Sequence, residues 1–143
     1  MSQIFTTVGP AHHEEFDIDI MSPLYERFGL LYYGCCEALH HKMDMIRKVK
    51  NVRKISVSPW ADIDISAENF SGDYVFSGKP HPVHVTTGTL QAEGVKKQVL
   101  HSIEACKRNN TPCELILKDV STVSGNPEVL SQWEKLVMSL VER

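Results

Sequence analysis

Gly34-Cys35-Cys36-Glu37 follow directly on the apolar run Leu30–Tyr33. Two thiols and a carboxylate in successive positions can supply a nucleophile, soft metal ligands and an acid–base group. The apolar run reads as a buried strand that stops at the glycine. Ala38 to Val49 reads as an amphipathic helix, with Leu39, Met43 and Ile46 on one face. That order predicts thiols at the C-terminal end of a strand and the N-terminal end of a helix. Unpaired helical N–H groups and the helix dipole would favour the thiolate there. Cys35, Cys36 and Glu37 are therefore candidate catalytic residues, and the two cysteines are candidate metal ligands.

The same pattern recurs along the chain. A strand over Lys54–Val57 is followed by Ser58, Trp60 and Asp62. A strand over Tyr74–Phe76 is followed by Ser77, Lys79 and His81, and one over Glu114–Leu117 by Lys118 and Asp119. Lys79 and Lys118 are suited to carboxylates or phosphate. Trp60 offers a flat face to a planar ligand, or a plug for the mouth of the fold. Asp119 and His81 join Glu37 as candidate partners of the thiols. Ser77-Gly78-Lys79 is too short and too proline-flanked for a phosphate loop. Adjacent histidines on a helix point about 100° apart, so His12-His13 and His40-His41 do not chelate as an i, i+4 pair would. His40-His41 is expected to begin a helix and face solvent.

The intervening segments must position these groups. Phe16, Ile20, Leu24 and Phe28 mark a helical stripe over Glu14–Phe28, which Pro23 is expected to kink or split. Ile63–Phe70 reads as a helix. So does Leu90–Arg108, with Val95, Val99, Ile103 and Cys106 aligned. Asn126-Pro127 is a helix start, after which Trp133 falls on a broad apolar face. Strands alternating with helices imply βαβ units and a parallel sheet with right-handed crossovers. Chemistry in such folds gathers at the C-terminal strand ends, so the four groups are expected on one rim. Residues 1–10 read as a short tail and 11–143 as a single α/β domain.

The chain has 143 residues, enough for one core, and a formal net charge of -3. With no basic footprint, nucleic acid is not an expected partner. No apolar run approaches the ~18 residues of a membrane span. Met1–Gly9 lacks a leader pattern. The four cysteines form no spaced disulfide framework, which points to a reducing cytoplasm.

The stretches YYGCCEALHHKMDMI, NVRKISVSPWADI, DYVFSGKPHP and ELILKDVSTV resemble the C-terminal part of the uroporphyrinogen decarboxylase superfamily, and its decarboxylase-like members related to cobamide-dependent methyltransferases. The resemblance runs from about Ala11 to the end. It implies half of a (β/α)8 TIM-type barrel, with about four parallel strands and flanking helices. It also implies a tetrapyrrole-type, corrinoid or methylated ligand at the rim. In the methyltransferase branch zinc sits on a His-x-Cys pair and a cysteine after the last strand, and a corrinoid protein is a partner. Here Tyr33 or Gly34 stands at the histidine position. Lys118-Asp119 replace the late cysteine, and Cys113 is expected about 16 Å away at the opposite rim. The family's N-terminal arginine-rich motif and its essential aspartate have no counterpart here.

Half a barrel leaves two strand edges and an inner face to cover, with Leu30, Ile55, Val57, Val75, Leu115 and Leu117 expected to point inward. Either a homo-oligomer or a complementary half-barrel chain would complete it. Two functions stay open. One is a decarboxylase-like or methyltransferase-like enzyme domain. The other is a non-catalytic binding or assembly module.

Overall fold

The computed structural model describes residues 3–142. A helical run opens the fold: α1 (Pro10–His13), a wide π turn over Glu14–Ile18, and α2 (Asp19–Tyr25). Strand β1 (Leu31–Tyr33) leads through α3 (Met43–Ile46) to β2 (Val52–Val57), and α4 (Ile63–Phe70) leads to β3 (Val75–Gly78). After α5 (Val83–Thr86) and α6 (Ala92–Arg108) come β4 (Cys113–Leu115) and the closing α7 (Glu128–Val141). The sheet order is β1-β2-β3-β4 and every neighbouring pair is parallel. The protein is thus α/β, with a four-stranded all-parallel sheet and flanking helices. No helix among the described residues is long and apolar enough to cross a membrane.

Strand register sorts the sheet into two chemically different faces. Tyr33, Ile55, Phe76 and Cys113 align across the strands on one face, with Val57, Gly78 and Leu115. Ile55, Val57 and Phe76 pack there with Met43, Ile46, Ala67, Phe70 and Ala105 of the helices. Alternation puts Tyr32, Lys54, Ser56, Ser77 and Glu114 on the other face. The expectation of an uncovered apolar inner face is therefore corrected. Ile55, Val57 and Leu115 lie on the helix side, because that face takes the apolar share of each strand. Val75 alone of the expected set falls on the polar face. Leu30 precedes β1 and is exposed, and Leu117 joins a second core beyond β4, where α5, α6 and α7 bury Val85, Val99, Val129, Trp133 and Leu140.

Two helix expectations also change. Pro23 does not split the first helical run. The register shift occurs upstream in the π turn, and Ser22 Oγ donates to Ile18 O at 2.6 Å. The run's stripe is not core either: Phe16, Ile20, Leu24 and Phe28 are all exposed. The helix expected over Ala38–Val49 contracts to Met43–Ile46, with bends and turns over 35–37 and 40–41. Gly34 has φ of +93°, and a Cβ there would lie 2.6 Å from Leu39 Cδ1. This sharp turn, with Leu39 buried beneath it, leaves the next residues no helical path. The thiols therefore do not sit at a helix N-terminus.

Residues 3–9 fold back onto the domain. Lys42 Nζ donates to Phe5 O at 2.6 Å and to Val8 O at 2.9 Å, and lies 3.2 Å from His13 Nδ1. His13 is fully buried between these groups and the carboxylate of Asp17.

Candidate functional site

The loop after β1 and the segment after β4 meet at the C-terminal edge of the sheet. Cys35 is held by its backbone: its N–H donates to Glu37 Oε2 at 3.1 Å and its carbonyl accepts from Ser56 Oγ. Glu37 is buried, so it braces the loop rather than facing a ligand. From the far side of the sheet, Lys118 Nζ reaches Cys35 Sγ at 3.0 Å and Cys36 Sγ at 2.8 Å. Cys36 Sγ donates to Asp119 Oδ2 at 3.2 Å, and the two sulfurs are 3.5 Å apart. Lys118 also pairs with Asp119 at 3.4 Å. Asp119 holds a left-handed backbone, with φ of +57°, where the chain turns off the sheet edge.

The two thiols are not equivalent. The Lys118 hydrogen bond, helped by the Cys36 contact, holds Cys35 below the ordinary thiol range against its partial burial. Lys118 also pulls on Cys36, but burial and the acceptors Asp119 and Cys35 outweigh it and raise that thiol. Hydrogen bonds to Cys36 and Cys35 raise the Lys118 ammonium in turn, so it stays charged. One thiol leans toward thiolate and its neighbour keeps its proton. The charge that achieves this comes from a lysine rather than a helix dipole.

A polar ladder crosses the open face beside this cluster. Lys79, buried just past β3, donates from Nζ to Tyr32 Oη at 2.5 Å and also to Ser56 Oγ. Tyr32 Oη meets Ser77 Oγ at 2.8 Å, Ser77 Oγ donates to Glu114 Oε1 at 2.7 Å, and Lys54 Nζ pairs with the same oxygen at 2.9 Å. The Lys54 and Lys79 ammonium groups lie 4.7 and 5.1 Å from the Tyr32 ring centre. Lys79 follows β3 as the sequence predicts, whereas Ser77, expected beyond the strand, lies within β3 on the open face. Tyr32, Lys54, Ser56 and Glu114 were not legible as site residues, although Lys54 and Ser56 alternate with Ile55 and Val57 as polar and apolar strand faces do.

The remaining rim residues divide. Trp60 follows β2, is 70% exposed, and meets the His81 ring edge-on at 4.9 Å between centroids. It is therefore not a plug. Asp62 is a helix cap: Oδ1 accepts from Ile65 N at 2.9 Å, while its own N–H donates to His40 Nδ1. His40 is thus half-buried in a turn and does not begin a helix. Cys113 stands at the start of β4 on the helix-facing side, and its thiol contacts the Glu114 carbonyl at 3.8 Å.

The donor set does not fit the zinc that the resemblance implies. Such an ion takes about three protein ligands plus water, or about four. Among the described residues no group of three or more His, Cys, Asp or Glu side chains is placed to hold a metal. The position between the sulfurs is taken by the Lys118 ammonium, a cation standing against both would-be ligands. No family model, curated protein or solved structure matches this chain.

Proposed function

We propose that the chain is a decarboxylase-like half-barrel whose C-terminal rim binds an acidic, planar ligand of tetrapyrrole type. The supporting observation is the placement of cations and an aromatic face around one edge of the sheet: Lys79 and Lys118 at the ends of β3 and β4, and exposed Trp60 after β2. Lys79 is buried and donates to two hydroxyls, Tyr32 and Ser56, so its ammonium contributes positive charge behind the rim. Lys118, engaged with both thiols and Asp119, adds positive charge to the same rim. Trp60 supplies a stacking surface. The geometry favours this decarboxylase-type reading over zinc-dependent methyl transfer, because the zinc donors are not assembled. Four free thiols suit a reducing compartment, and the cytoplasm is the proposed location.

Titration of the protein with a polycarboxylate porphyrin, read by tryptophan fluorescence, tests the assignment. Saturable quenching that is lost in Trp60→Phe and weakened in Lys79→Met supports it. Quenching carried only by the buried Trp133, or none, overturns it.

A second reading, an assembly module, is favoured by the exposed apolar stripe on the first helical run. Among the described residues β1 and β4 are the edge strands of the four-stranded sheet. In a barrel closed by two copies, β1 of one copy would pair with β4 of the other, and the two-fold axis would form both seams at once. The Phe16–Phe28 stripe would then face the partner's α7, where Met138 and Val141 are exposed. A complementary half-barrel chain would use the same edges.

A further inference from the structure

The vicinal thiols have a geometry that ligand binding does not require. Cys35 is pinned at both its N–H and its carbonyl, the Lys118 ammonium donates to both sulfurs, and the Cys36 sulfur lies 3.5 Å away with its own proton directed at Asp119. Cys35, which accepts from the ammonium and keeps no acceptor for its own proton but Cys36, is the sulfur that leans toward thiolate, and Cys36, with its proton held by a carboxylate, is the second thiol. We propose that Cys35 and Cys36 form a redox-active dithiol that reduces hydroperoxides, with Lys118 stabilising the attacking sulfur and Asp119 receiving the proton of the resolving one. The inference shares Lys118 with the proposed rim site but does not depend on a porphyrin-type ligand.

Physical reasoning selects a hydroperoxide over a protein disulfide as oxidant. Adjacent Cα atoms lie about 3.8 Å apart, short of the ~4.4 Å at which ordinary disulfides begin. A Cys35–Cys36 bond is therefore strained, with a high, easily reduced potential. A pair of that kind is a poor reductant of other disulfides, whereas cleavage of an O–O bond is strongly downhill. The same strain makes the product readily reduced by small thiols, so the pair turns over and does not act as a structural staple.

The steps balance. The Cys35 thiolate attacks the distal oxygen of ROOH, forming an S–O bond and breaking O–O. The alkoxide leaves as ROH with a proton supplied from the Lys118 ammonium, and Cys35 becomes a sulfenic acid. Cys36 gives its proton to Asp119 and attacks the Cys35 sulfur. The S–S bond forms, the S–O bond breaks, and the departing hydroxide takes the proton back from Asp119 and leaves as water. Two equivalents of a small thiol then restore both cysteines and emerge as their own disulfide. Lys118 returns to its starting state through solvent.

Peptide mapping after a hydrogen peroxide pulse on the reduced full-length chain tests this. Trypsin cuts after Arg27 and Lys42, so both thiols fall in the peptide 28–42. The expected product is that peptide lighter by two hydrogens, restored by a small thiol. Cys36→Ser stops at a sulfenic acid that dimedone traps, and Cys35→Ser leaves Cys36 unoxidised. Lys118→Met slows the first step about tenfold, as loss of a thiolate-stabilising cation requires. Asp119→Asn, which keeps the shape of the site, lets the sulfenic acid accumulate. An unchanged 28–42 peptide overturns the proposal. So does over-oxidation there without the disulfide, or a cross-link confined to Cys106 and Cys113, which lie in the separate peptides 98–107 and 109–118. Porphyrin quenching is read independently, so either result can fail without the other.

Discussion

Lys118 and Cys35 stand 83 positions apart in the chain and 3.0 Å apart in space, ammonium against sulfur. The parallel sheet makes this possible. It brings the C-terminal ends of β1 and β4 to one edge, and the loop after each strand carries its functional group inward. Cys35 is accordingly expected to react with iodoacetamide at a lower pH than a free thiol. The rate should already be near its plateau at a pH where Cys36 and Cys106, both held above the ordinary thiol range, are still largely protonated. In Lys118→Met the alkylation midpoint should move up toward the ordinary thiol value. An unchanged profile would remove the lysine from its assigned role.

The buried cluster behind β1 gives a second expectation. Lys42 can only donate to His13 Nδ1, so the neutral imidazole carries its proton on Nε2, which faces Asp17 Oδ2 at 3.3 Å and Tyr33 Oη at 3.0 Å. Burial, followed by the Lys42 charge, holds His13 below its ordinary value of 6.5. The unfolded chain therefore takes up this proton first as pH falls. The native state loses stability from about pH 6.5 downward until the folded histidine also protonates. His13→Gln should flatten that part of the pH–stability curve in urea denaturation. A slope equal to that of the parent would assign the effect elsewhere.

Lys42 also ties down residues 3–9 through two backbone carbonyls. Lys42→Met should cost about 1–3 kcal/mol, the scale for buried polar groups left without a partner. It should also make the N-terminal segment more accessible to protease while the sheet stays folded. Limited proteolysis with mass detection distinguishes the two effects. Cleavage confined to the core would contradict the tether.

The two tryptophans show what was legible in the sequence. Trp133 was assigned to the core from its helical stripe, and it is 8% exposed; Ile63–Phe70 was read to its exact bounds. Both signals are local: a 3.6-residue period, and for α4 an aspartate cap with Ser71-Gly72 as a stop. The four strand positions followed from short apolar runs bounded by Gly, Pro or Asp. What failed depended on distant contacts. The Gly34 turn and the reach of Lys42 to Phe5 and Val8 override the helical pattern of Ala38–Val49. The Phe16–Phe28 stripe has core periodicity, yet its four side chains stay exposed. The polar ladder stayed hidden because strands of three to six residues are too short for alternation to stand out. In consequence Trp133→Ala should lower stability by about 3–5 kcal/mol. Trp60→Ala should change it by less than about 0.5 kcal/mol. Equal losses in guanidinium titrations would refute the burial contrast.

The exposed stripe sets the last expectation. Phe16, Ile20, Leu24 and Phe28 are 56, 63, 41 and 52% exposed, and Leu30 next to the β1 edge is 72% exposed. Five large apolar groups along one edge of a small domain form the kind of patch that a monomer rarely leaves in water. At the opposite edge, α7 offers Met138 and Val141 beside β4. If two copies close one barrel, both edges are covered by the same symmetry operation, and the assembly stops at two. Light scattering after size exclusion should then give twice the monomer mass. Ile20→Lys with Phe16→Glu should return it to the monomer without lowering the helical signal, because neither side chain contributes to the domain's own core. A parent chain that remains monomeric at micromolar concentration would exclude self-closure.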